Sequence, residues 1–64
     1  MNNKPRPENH HSLRMSFNGI SNSLSELESD AKELGDETLL KLIEECYQVD
    51  NKIYQYLDET YDWE

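Results

Sequence analysis

Cationic side chains are scarce in this 64-residue chain: six lysines and arginines stand against fourteen aspartates and glutamates, for a net charge of −8. With no basic stripe along any predicted helix, a helical nucleic-acid reader is disfavoured, because such readers rest on positive charge. Cysteine occurs once, as Cys46, so no disulfide can close within the chain. Glycine occurs twice, as Gly19 and Gly35, which leaves no glycine-rich phosphate loop. No apolar run approaches the eighteen or so residues that read as a membrane span. The first residues, Met1-Asn2-Asn3-Lys4-Pro5-Arg6-Pro7, lack the apolar core of a signal peptide. With a single thiol and no such signal, the expected compartment is the cytoplasm.

Histidine is equally uninformative about chemistry. His10 and His11 adjoin only Glu8, without a further ligand at metal-binding spacing. Cys46 falls in an apolar stretch, away from both histidines, and a nucleophile there would lack a base and an orienting group. Paired carboxylates such as Glu44-Glu45 read as a solvated face, since acid–base work needs two of them in a cleft. The expectation is therefore no catalytic residue, no metal site, no cofactor and no small-molecule substrate.

What is present is helix-forming and concentrated after residue 12. Residues 36–61 read as one long helix. Its clearly polar row is Lys41, Glu44, Glu45, Gln48, Lys52, Gln55 and Glu59. Most of the remaining circumference is apolar or aromatic, broader than the stripe of a helix that covers a single surface. Gly35-Asp36 before it is strong punctuation: glycine suits the left-handed residue after a helix, and aspartate suits the N-cap of the next. So short a link predicts an antiparallel hairpin with a preceding helix over 19–34, whose seam is Ile20, Leu24, Leu27, Ala31 and Leu34.

Residues 12–18 admit two readings. Leu13, Met15 and Phe17 alternate with polar residues, as in a half-buried strand. Leu13 and Phe17 also continue the seam of the following helix in steps of four and three. The Asn18-Gly19 pair and the weak helix formers Ser21, Asn22 and Ser23 favour the strand. A lone strand needs a partner from another subunit. Residues 1–11, with Pro5 and Pro7 and little to bury, read as a disordered polar tail, basic where the body is acidic.

The predicted fold is thus mainly α: an antiparallel two-helix hairpin, with one short N-terminal strand, in an intertwined homodimer with 12–64 as the dimerisation domain. A hairpin this small needs a staple, and oligomerisation is the one the composition leaves. The expected dimer interface is Leu13, Met15, Phe17, Leu39, Ile43, Cys46, Ile53 and Leu57. Asp50 interrupts the seam that runs through Leu39, Ile43, Cys46, Ile53 and Leu57. A polar residue there fixes register when buried; the favoured placement is the edge of the interface, with the carboxylate in water. Tyr54, Tyr61 and Trp63 belong to an aromatic-rich end and are the expected partner-binding residues, since Tyr and Trp are enriched at binding hot spots. Deleting 61–64 is then expected to weaken partner binding and leave the dimer intact.

The hairpin pattern resembles, in architecture alone, the small RNA-binding repressor of primer of plasmids, a dimeric four-helix bundle. The basic face that such an activity needs is missing here. The whole layout also resembles the small acidic early proteins of lambda-like temperate phages, encoded between the exonuclease and excisionase genes. The residues concerned are the polar tail, Leu13-Arg14-Met15-Ser16-Phe17, residues 20–34, Gly35-Asp36 and the aromatic-rich 39–63. That resemblance implies a dimer with two helices and one strand per subunit, an accessory role favouring lytic growth, and no enzyme activity.

Taken together, the sequence points to a small non-enzymatic regulatory or accessory protein that binds itself and a host or phage protein. An acidic DNA mimic that inhibits a nucleic-acid-binding protein is an alternative, as is a purely structural dimerisation module.

Overall fold

Gly35 and Asp36 divide the chain as their chemistry requires. In the computed structural model, which describes residues 4–63, α1 spans His10–Leu34 and α2 spans Glu37–Thr60. Gly35 adopts φ +69°, a left-handed conformation that an L side chain would strain. This lets the Gly35 N–H bond to the Lys32 carbonyl and the Asp36 N–H bond to the Ala31 carbonyl, each at 3.1 Å. Both bonds satisfy carbonyls that the end of α1 would otherwise orphan. Asp36 then caps α2: its Oδ1 accepts from the Leu39 N–H at 3.0 Å, with Glu37 in the first turn. Asp36→Ala is expected to lower the stability of the hairpin by about 1 kcal/mol, read from thermal melts by circular dichroism.

The strand predicted for residues 12–18 is not found. Those residues are helical, and no strand occurs among the described residues. The local penalty of Asn18-Gly19 is real but small, about 1 kcal/mol for the glycine. Against it stands packing that only a helix provides. Successive helical residues turn by about 100°, so Leu13 and Phe17 share a face. Both are half-buried, whereas Met15 is exposed. Phe17 meets Tyr54 of α2 with ring centroids 5.8 Å apart. A strand would have put Leu13, Met15 and Phe17 on one side together.

The two helices run antiparallel, with Ser21 opposite Asp50 and Phe17 opposite Tyr54 one turn away. The body measures 47 × 17 × 13 Å. Its smallest dimension is little more than the diameter of one helix, so the core is a single seam between α1 and α2. Ala31, with no exposed surface, and Ile43, at 2% exposure, are buried in that seam, and Trp63 is buried at the end of the chain.

The N-terminal segment does not behave as a disordered tail over its described part. Residues 4–9 run back along the end of α2, and α1 begins at His10, inside the predicted tail. The Asp62 N–H donates to the Pro5 carbonyl at 2.9 Å. Lys4 Nζ donates to the Asp58 carbonyl, and Arg6 pairs with Asp62 at 3.3 Å. Aspartates at a helix C-terminus oppose its dipole; here a basic segment offsets them. Residues 1–3 of the predicted tail lie outside the described residues.

Candidate binding face and the buried Asp50

Beside the inner seam, α2 carries a second one. Leu42, Cys46, Val49, Ile53 and Tyr56 recur in steps of four and three, and all five are exposed. On α1 the corresponding apolar residues are Ile20 and Leu27, also exposed, with Leu24 half-buried between them. These two sets face the same way. Ile20 and Leu24 of α1 join Cys46, Val49, Asp50 and Ile53 of α2 in lining one groove of about 290 Å³. A second groove of about 460 Å³ continues it along α1, sharing Ile20 and Leu24 and adding Ser16, Gly19, Ser23 and Leu27. One broad side of the hairpin is therefore an almost unbroken apolar surface. Contiguous patches of this kind mark places where another molecule docks.

Asp50 lies at the wall of the groove. It is 9% exposed, not at a wet edge as the seam pattern had suggested. Its Oδ2 accepts from the Ser21 hydroxyl at 3.2 Å, while Oδ1 is buried without any hydrogen-bond partner. The helical period places position 50 in line with Ile43 and Leu57, which turns it toward α1. Holding a carboxyl oxygen out of water without a donor costs free energy on the scale of a lost hydrogen bond.

The aromatic end is built differently from the predicted groove. Trp63 is 3% exposed and cannot be the open partner-binding residue expected of it. After Thr60 the chain leaves the helix at Tyr61, in an extended conformation, which swings Trp63 back over the core. There it stands edge-on to Phe17, with centroids 5.5 Å apart and planes at 88°, and tilted 65° against Tyr54 at 5.8 Å. Three mutually packed rings at such geometries add about 0.5–1.5 kcal/mol per pair beyond the area they bury. The indole N–H of Trp63 is buried without an acceptor. Tyr61 is half-buried, and Tyr54 remains exposed at one edge while it packs against Phe17 and Trp63.

The predicted interface residues divide in the same way. Cys46 and Ile53 lie on the open face. Ile43 is consumed by the hairpin's own core, and Leu13, Phe17, Leu39 and Leu57 are half-buried. Met15 is exposed. Residues missed as part of the face are Ile20, Leu24, Leu42 and Val49, and with them Asp50 as a buried group. The signal was the seam from Leu42 to Tyr56, masked by the near-uniform apolar character of α2.

His10 and His11 open α1, with His10 Nδ1 3.4 Å from Arg6 Nη2. No cluster of His, Cys, Asp and Glu that could hold a metal ion occurs among the described residues. No helix among them is long and apolar enough to cross a membrane. No family model, curated protein sequence or solved structure matches the chain.

Proposed function

We propose that this chain is a non-enzymatic protein-binding module that works by occupancy, and that its first partner is a second copy of itself. The observation that carries this reading is the exposed apolar side formed by Ile20, Leu27, Cys46, Val49 and Ile53. Among the described residues the buried hydrophobic side chains are Ala31, Ile43 and Trp63, a small core for a chain of this length, and covering the open side would enlarge it. Packing two such sides together makes a four-helix bundle and encloses both seams. The dimer then offers its outer, acidic sides to a host or phage protein, consistent with an accessory role in phage lytic development. The acidic-mimic reading keeps one supporting observation, the −10 carried by residues 15–64. Its partner binding would weaken steeply with salt, whereas binding through apolar surface would not.

The test is sedimentation equilibrium of the full chain beside the double variant Val49→Glu, Ile53→Glu. The parent is expected to sediment as a dimer. The variant, with two charges in the middle of the apolar side, is expected to be monomeric and less helical. A parent that is a stable folded monomer at high micromolar concentration overturns the reading.

A further inference from the structure

Gly19 has no role within one hairpin. Glycine inside a helix is unfavourable, yet Gly19 lies within α1 on ordinary helical backbone; the glycine with positive φ is Gly35. A Cβ placed on Gly19 meets nothing within 4 Å. The residue lines the open groove, between Ser16 and Ser23. On α2 the same open side carries a bulky ridge that ends in Tyr56, 61% exposed. We infer that Gly19 is the seat for Tyr56 of a second copy, in a dimer that carries both turns at one end. This rests on the self-association proposed above and adds to it the contact that fixes the arrangement.

Two copies meet face to face only about a two-fold axis that lies between the two sides. The near-parallel helices of a bundle leave that axis two directions. An axis across the helices stacks each helix on its own copy, with the turns at opposite ends. The large side chains of α2 then crowd one another, while Ser16, Gly19 and Ser23 face their own copies over a gap. An axis along the helices stacks α1 on α2 of the other copy, with the turns together. It sets large against small throughout, which is what dense packing requires. It also leaves no freedom to slide, because that rotation keeps every residue at its own level. The whole broad side of 47 × 17 Å is then covered, which matches the roughly 800 Å² per partner of a stable interface.

The hairpin itself sets those levels. Ser21 stands opposite Asp50 and Phe17 opposite Tyr54, so each step forward along α1 matches one step back along α2. Tyr56 is six residues beyond Asp50 and stands level with residue 15, six before Ser21. Gly19 is about one turn further along α1. Helical side chains lean toward the N-terminus of their own helix. On the antiparallel α2 of the second copy, Tyr56 therefore leans from that level toward Gly19. The same levels place Ile20 midway between Val49 and Ile53 of the copy, so the ridges interleave. At the margins Asp30 comes level with Lys41 and Glu26 with Glu45, an attraction and a repulsion. An axis across the helices would instead let Glu45 approach Lys52 of the copy. Exposed pairs contribute little, so shape decides.

The experiment compares the full chain with Gly19→Leu, Tyr56→Ala and the double variant by sedimentation equilibrium and circular dichroism. Gly19→Leu is expected to weaken the dimer roughly tenfold or more by overpacking the seat, although leucine is the better helix former. The double variant, in which the missing ring leaves room for the leucine, is expected to dimerise more tightly than Gly19→Leu alone. A spin label at Glu37→Cys in a Cys46→Ala background reports the turns by double electron–electron resonance. With both turns at one end the labels are expected within about 35 Å, the span of two helix layers plus the label arms. Labels separated by about the 47 Å length of the body put the turns at opposite ends and overturn the arrangement, while self-association stands. A Gly19→Leu chain that dimerises like the parent, or one that Tyr56→Ala does not rescue, overturns the seat. A parent that stays monomeric removes both.

Discussion

Trp63→Ala is expected to cost about 3–5 kcal/mol, the scale for emptying a buried indole site. That is comparable with the whole stability of a small domain. The side chain is buried and holds Phe17 of α1 and Tyr54 of α2 in one aromatic cluster. Its loss leaves both rings without a cover and releases the extended turn at Tyr61. Far-UV circular dichroism at low temperature should show lost helicity at the far ends of both helices, and thermal melts a broadened transition. Deleting 61–64 should do the same. This reverses the expectation that those residues form a dispensable arm for a partner. A truncated chain that kept full helicity and lost only a binding partner would restore the arm.

Ile43→Ala is expected to destabilise the hairpin by about 2–5 kcal/mol. Ile43 is 2% exposed and is the largest fully buried side chain. Ala31 of α1 is likewise buried and leaves the helices little freedom to close over a void. The neighbouring Leu42→Ala makes the contrast. Leu42 stands exposed on the second seam of α2, so its removal should leave the intrinsic stability of the hairpin nearly unchanged. If that seam is an interface, Leu42→Ala should instead weaken self-association. Chemical denaturation at several protein concentrations separates the two: the Ile43→Ala loss is independent of concentration, and the Leu42→Ala loss is not.

How far the fold could be read from the sequence follows from which forces decide each element. The turn and α2 were legible because local chemistry and apolar pattern agree there: Gly35 and Asp36 do what such residues do in isolation, and α2 ends within a residue of its predicted limits. The start of α1 was not. Asn18-Gly19 and the serines after it speak locally for a break, and the alternation of Leu13, Met15 and Phe17 imitates a strand. What decides the matter is the contact of Phe17 with Tyr54 and Trp63, more than thirty residues away in sequence. Local propensity carries no record of that contact.

The site was legible to a similar degree. The excess apolar surface of α2 was visible in the sequence, but not which of its seams stays exposed in the hairpin. Asp50 was visible as an interruption, yet burial and edge exposure look alike until α1 is in place. Trp63 was misplaced because an alternation of acids and aromatics reads the same in a flexible arm as in a chain end folded over a core. The difference lies in Lys4 and Arg6, whose charges meet the Asp58 carbonyl and Asp62 across most of the chain.

That last contact has a consequence for the order of folding. Lys4 and Asp58 are 54 residues apart in sequence. Closing a flexible loop of that length costs about 3–4 kcal/mol by the logarithmic rule. The exposed Arg6–Asp62 ion pair beside it returns at most about 1 kcal/mol. The clasp between the two ends cannot nucleate anything. It forms once α1 and α2 have already brought the ends together, and it is the first contact to open when they loosen. Trp63 directly follows Asp62, whose amide and carboxylate hold that clasp, so the packing of the indole is expected to report on the last step of folding rather than the first.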